Sequence, residues 1–100
     1  MVVVRGVNVY PAAIEALVRA CGGIAEYRAE ISYENTLPEL RISIEPAPDC
    51  SNPPALIPKL ENTFETALSL RVPVTLLPPN ALPRFEMKAK RWIIHPKQGQ

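Results

Sequence analysis

Arg84, Lys88, Lys90 and Arg91 stand close together near the end of a 100-residue chain, with only Glu86 opposed to them. Cations gathered on one stretch can meet a phosphate or carboxylate and stabilise charge that builds up in a transition state. The same run can equally be a solvated edge that keeps a terminal strand from pairing with other chains. Few other residues suggest chemistry. His95 is the only histidine and has no triad motif around it. Cys21 and Cys50 are far apart, without a CxxC, so a structural zinc site cannot be assembled. Gly6, Gly22, Gly23 and Gly99 cannot make G-x-x-x-x-G-K-[ST] or G-x-G-x-x-G, which argues against nucleotide binding by this chain alone. No stretch carries the aromatic pattern of an RNA-recognition motif.

The elements around the cations must position them. Pro78, Pro79 and Pro83 stiffen the chain before and into the basic stretch, Asn80 favours a turn between them, and Trp92-Ile93-Ile94 after it reads as a short apolar strand. A loop at Ala81–Arg91 is therefore held at both ends. Earlier in the chain, Val2–Val4 is a β-branched run, and Gly6 and Asn8 favour positive φ, which predicts a turn or irregular strand up to Val9. Pro11 suits a first helical position, and Ile14, Leu17, Val18 and Cys21 then trace one apolar stripe. Glu15 and Arg19 share the opposite face, and Gly22-Gly23 predicts a left-handed cap.

From Ile24 to Tyr33 the chain alternates, with Tyr27, Ala29, Ile31 and Tyr33 on one side and Glu26, Arg28, Glu30 and Ser32 on the other. Leu40, Ile42 and Ile44 alternate with Arg41, Ser43 and Glu45. These runs predict an antiparallel hairpin with one face covered, joined through Asn35 and Pro38. Pro46–Pro54 is a proline-rich connection, with Ser51 or Asn52 available as a cap. Leu56, Leu60, Phe64, Ala67 and Leu68 predict a second helix, kinked or begun at Pro58. Val72, Val74 and Leu76 predict a short strand that Pro73 confines to an edge or a bulge. Pro96–Gln100 reads as a frayed tail.

The resulting order, β-α-β-β-α-β with a short extra C-terminal strand, predicts an α+β fold. The expected architecture is ferredoxin-like, with an antiparallel sheet and two helices on one face. Such a fold does not fix chemistry. The length predicts one domain over 1–100 with one modest core. An apolar share of 47% and a charged share of 21% fit an ordinary globular chain. A net charge of +1 argues against a nucleic-acid partner held by bulk electrostatics. The twelve prolines cluster outside the periodic runs and predict rigid connections. Two unpaired cysteines without a targeting segment predict a cytoplasmic setting, and no apolar run reaches the ~20 residues that cross a membrane.

Two stretches carry a family resemblance. Val3-Val4-Arg5-Gly6-Val7-Asn8-Val9-Tyr10-Pro11-Ala12-Ala13-Ile14-Glu15 strongly resembles the start of the C-terminal domain of phenylacetate–coenzyme A ligases, within the acyl-adenylate-forming superfamily. Leu82–Arg91 is similar to that family's last core motif, whose common form is P-R-S-E-G-K-A-K-R. Phe85 stands where the common motif has serine, and Met87 where it has glycine.

The resemblance implies a lid domain that is incomplete as a catalyst by itself. The complete enzyme would use ATP, Mg²⁺ and coenzyme A, none of them bound by this chain alone, and no metal ligand is expected here. Lys88 would enter the active site for adenylation. The loop Arg5, Gly6, Val7 and Asn8 would serve the coenzyme A side, and Arg84 and Lys90 are further phosphate-contact candidates. The implied partner is a large N-terminal adenylating domain, on a separate chain or upstream of Met1, acting on a carboxylic acid such as phenylacetate. A homodimer through an exposed sheet face stays open. The competing reading is a stand-alone ferredoxin-like interaction module without catalysis.

Overall fold

The computed structural model describes residues 2–33, 38–79, 81–82 and 92–95. Val2–Val4 (β1) and Val7–Val9 (β2) form an antiparallel hairpin of their own. Pro11–Cys21 (α1) follows, with proline in the first turn as expected. Ile24–Ser32 (β3) and Glu39–Pro46 (β4) pair antiparallel. A 3₁₀ turn at Pro53–Ala55 leads into Leu56–Leu68 (α2), then Val74–Leu76 (β5) and Trp92–His95 (β6). The main sheet has four strands in the order β5-β4-β3-β6.

The class is α+β, consistent with a ferredoxin-like domain, but the strands are shared out differently from expectation. The sheet is mixed: β5 runs parallel to β4 and β6 parallel to β3. The stretch predicted as first strand lies outside it, because Arg5-Gly6 turns the chain back on itself after Val4. The terminal strand expected as an extra fills the vacant edge beside β3.

Alternation sets the core. Tyr27, Ala29 and Ile31 stand opposite Ile44, Ile42 and Leu40, and all six are buried. Ile14 and Val18 of α1 and Leu56, Leu60 and Phe64 of α2 complete the cluster, with Val4 and Val9 closing it from the hairpin. Lys59 of α2 donates to the Cys21 carbonyl at 2.9 Å, so a cation satisfies an open carbonyl at the end of α1. The first turn of α2 precedes Pro58 without interruption, since amides in a first turn have no intrahelical partner to lose. Neither Ser51 nor Asn52 caps it; Ala55 occupies that place without a side-chain bond. Ala67, predicted on the apolar stripe, is exposed.

Gly22 has φ 76 and ψ 165, so the end of α1 is not the left-handed helical cap that its sequence predicts. This region of backbone space is essentially restricted to glycine. A Cβ at Gly22 would meet no atom within 4 Å, so only backbone strain opposes substitution. Gly22→Ala is expected to cost about 1–3 kcal/mol, read by urea denaturation.

Candidate functional site

The first candidate stretch is a tight hairpin turn. Val4 pairs with Val7, which leaves Arg5 and Gly6 as the two turn residues, at φ 50 and φ 79. Positive φ at both is the geometry that matches the twist of a two-residue hairpin. Glycine adopts it freely, whereas arginine is strained there by roughly 1 kcal/mol. Val7 packs against the core, while Arg5, Gly6 and Asn8 face outward. A Cβ placed on Gly6 would meet nothing within 4 Å, so the backbone at the tip is open to approach.

The Arg5 guanidinium reaches Glu39 at the start of β4, 2.8 Å away. Both side chains are substantially exposed, so the pair contributes about 0–1 kcal/mol and mainly sets where the turn rests. Beneath it lies an open groove of about 250 Å³, lined by Val4, Arg5, Glu39, Leu40, Arg71 and Pro73. Arg71 is a second arginine lining this groove. Nothing in the local sequence around Arg71 marks it; β5 brings it there by pairing with β4.

Lys88, Arg84 and Lys90 lie outside the described residues, and with them the interior of the basic stretch. Its two flanks are described. Ala81 donates to the Pro78 carbonyl at 3.2 Å, closing a turn, and the buried Leu82 then donates its amide to Glu45 at 3.3 Å. At the far flank Trp92 stands opposite Ala29 of β3. The strand predicted after the basic stretch is thus present, and the proline-stiffened turn precedes it.

The fold keeps the Arg5 turn apart from the near flank of the basic stretch. Arg5 is tied to Glu39, while Leu82 is tied to Glu45, six residues further along the same strand. At about 3.4 Å per residue these attachments are roughly 20 Å apart. Glu39 and Glu45 are contacts that sequence reasoning missed; alternation makes them polar positions of β4, but only the register assigns their partners. Among the described residues no three histidine, cysteine or acidic side chains gather as metal ligands. No described helix is long and apolar enough to cross a membrane.

Among solved structures, the chain is similar to 2-hydroxyisobutyryl-CoA ligase in complex with 2-HIB-AMP and CoA in the thioesterification state. That match has a TM-score of 0.83 and 30% identity, covering 98% of this chain and 21% of the ligase. The same ligase in its postadenylation state with 2-HIB-AMP matches at a TM-score of 0.80 and 29% identity, over 95% of this chain and 21% of that one. A domain of phenylacetate–coenzyme A ligase from Bacteroides vulgatus shares the fold at a TM-score of 0.80 and 19% identity, over 100% of this chain and 95% of that domain. The chain thus spans about a fifth of the 2-hydroxyisobutyryl-CoA ligase. No curated protein sequence matches it. The family model for the AMP-binding enzyme C-terminal domain matches residues 6–95. Taken with the fold, this makes the chain a member of the AMP-binding enzyme C-terminal domain family.

Proposed function

We propose that the chain is the lid of an acyl-adenylate-forming, coenzyme A-dependent ligase and turns between two steps on a larger domain. The observation that carries this reading is the match of residues 6–95 to the AMP-binding enzyme C-terminal domain, in a chain whose fold is shared by a ligase solved in both a postadenylation and a thioesterification state.

In the first step a carboxylate oxygen attacks the α-phosphate of ATP, the new O–P bond forms and pyrophosphate leaves. Negative charge accumulates on the phosphoryl oxygens, and the Lys88 ammonium is assigned to stabilise it, with Lys90 toward the phosphates. Magnesium and nucleotide belong to the larger domain in this reading. In the second step the thiol sulfur of coenzyme A attacks the acyl carbon and AMP leaves. The Arg5-Gly6 tip then faces the pantetheine arm, where a missing side chain lets backbone pass close, and Arg71 supplies positive charge beside the groove. The strained φ of Arg5 supports a role for this turn, since strain is retained where geometry matters. The phenylacetate-type acid is carried over from the resemblance alone.

The test is a split of the two half-reactions with the matching large domain. Gly6→Leu is expected to slow thioester formation from supplied acyl-adenylate at least tenfold and to leave pyrophosphate release within about twofold. Equal loss in both steps, or none in either, would count against a turn dedicated to the second step.

A further inference from the structure

The hairpin that carries the Arg5-Gly6 tip is a two-stranded sheet of its own, outside the four-stranded one. Val4 and Val9 are buried in the core, with Val2 and Val7 packed against it. Such contacts hold the body of the hairpin, but they are non-directional and do not fix how its tip is aimed. A polar link can. Among the described residues a single hydrogen-bonded ion pair joins the hairpin to the main sheet, from Arg5 Nη2 to Glu39 Oε1 at 2.8 Å.

The two partners are held unequally. Glu39 opens β4 and pairs in register with Ser32 of β3, so its backbone is fixed by the sheet. Arg5 is a turn residue at φ 50, and the open groove of about 250 Å³ that both residues line leaves the tip room to shift. Arginine is a poor residue for this backbone, whereas asparagine before glycine suits a two-residue hairpin turn. What arginine adds is a side chain long enough to reach Glu39. The strain at Arg5 and the worth of an exposed ion pair are of the same order, so this one pair suffices to bias the turn.

We propose that Glu39 is a positioning residue for thioester formation: through Arg5 it aims the turn whose Gly6 backbone meets the pantetheine arm. This rests on the lid reading and deepens it. Glu39 itself touches no substrate and has no part in adenylation.

The experiment compares Glu39→Gln, which keeps side-chain shape and removes the charge, with the unaltered chain, and repeats the comparison on an Arg5→Asn background. In the chain by itself, hydrogen exchange at the Val7 amide beside the tip is expected to quicken about three- to fivefold, the limit an exposed pair sets. The amides of β3 and β4 exchange as before. With the matching large domain, thioester formation from supplied acyl-adenylate is expected to fall about three- to fivefold, while pyrophosphate release is unchanged. At about 1 M salt, where charges are screened beyond about 3 Å, the ratio between the two chains should fall to one. On the Arg5→Asn background the turn holds its own shape, and Glu39→Gln should then change neither exchange nor rate.

Unchanged Val7 exchange overturns the proposal, as does a thioester step that is unchanged or faster. The same loss on the Arg5→Asn background also overturns it, because Glu39 would not be acting through Arg5. An equal fall in both half-reactions with a lowered melting temperature reduces Glu39 to a stabilising residue and overturns it too. A Gly6→Leu chain run alongside separates the two levels. If it forms thioester as fast as the unaltered chain, the lid reading fails at this step and takes the proposal with it. A slow Gly6→Leu chain beside an unaffected Glu39→Gln chain overturns the proposal alone.

Discussion

Lys88→Ala is expected to lower the rate of pyrophosphate release by the lid–large domain pair about 10²–10³-fold, the usual effect of removing one preorganised group from a developing oxyanion. The reasoning is electrostatic. Attack of a carboxylate on a phosphate brings negative charge onto negative charge, and an ammonium delivered into a site that excludes water acts there at a low effective dielectric. Thioester formation from supplied acyl-adenylate should change less than about twofold, because the lid would by then present its other end. Lys88→Arg should rescue little, since a planar guanidinium cannot occupy the position of a compact ammonium. Melting temperature, measured alongside, should not move. A Lys88→Ala chain that releases pyrophosphate at the original rate would remove the lysine from the chemistry.

Phe64→Ala carries the largest expected stability effect. Phe64 has no exposed surface and sits on α2 within the single cluster that joins both helices to the sheet and hairpin. Truncating a fully buried phenylalanine costs about 3–5 kcal/mol, through lost burial and the cavity that remains. A domain of this size holds only about 5–15 kcal/mol in total. The melting temperature should therefore fall by about 15–30 °C. Ala67, three residues on, makes the contrast: it is exposed, and Ala67→Ser should stay within about 0.5 kcal/mol. A small effect at Phe64 would mean that the core is not organised around α2.

Much of this was legible in the residues. The spacing of Ile14, Val18 and Cys21 located α1, and the alternation of Leu40, Ile42 and Ile44 located β4 with the correct face inward. Pro73 correctly marked an edge: the Ile42 amide bonds to the Pro73 carbonyl, and Glu61 takes up the Val74 amide. Periodicity could not tell that Val2–Val9 forms a separate hairpin, because that depends on Arg5 accepting a strained φ that glycine or asparagine would favour. Nor could it assign strand order, which rests on tertiary pairing of short edge strands such as β6. For the site, the turn at Arg5–Asn8 was visible as a motif, but its anchor on Glu39 and its distance from Leu82 were not. Glu26 and Glu45 look like ordinary solvent-facing acids in an alternating strand; only the register sets them against each other. Motif similarity marked Lys88 despite Phe85 and Met87 beside it, and all three lie outside the described residues.

The most direct measurement is pyrophosphate release by the matching large adenylating domain, with its acid and ATP, titrated with this chain as a separate polypeptide. Release should rise saturably by at least tenfold as the chain is added, and not rise when the added chain carries Lys88→Ala. The same rate with and without the chain, at concentrations where the two polypeptides bind, would contradict the lid reading and favour a stand-alone interaction module.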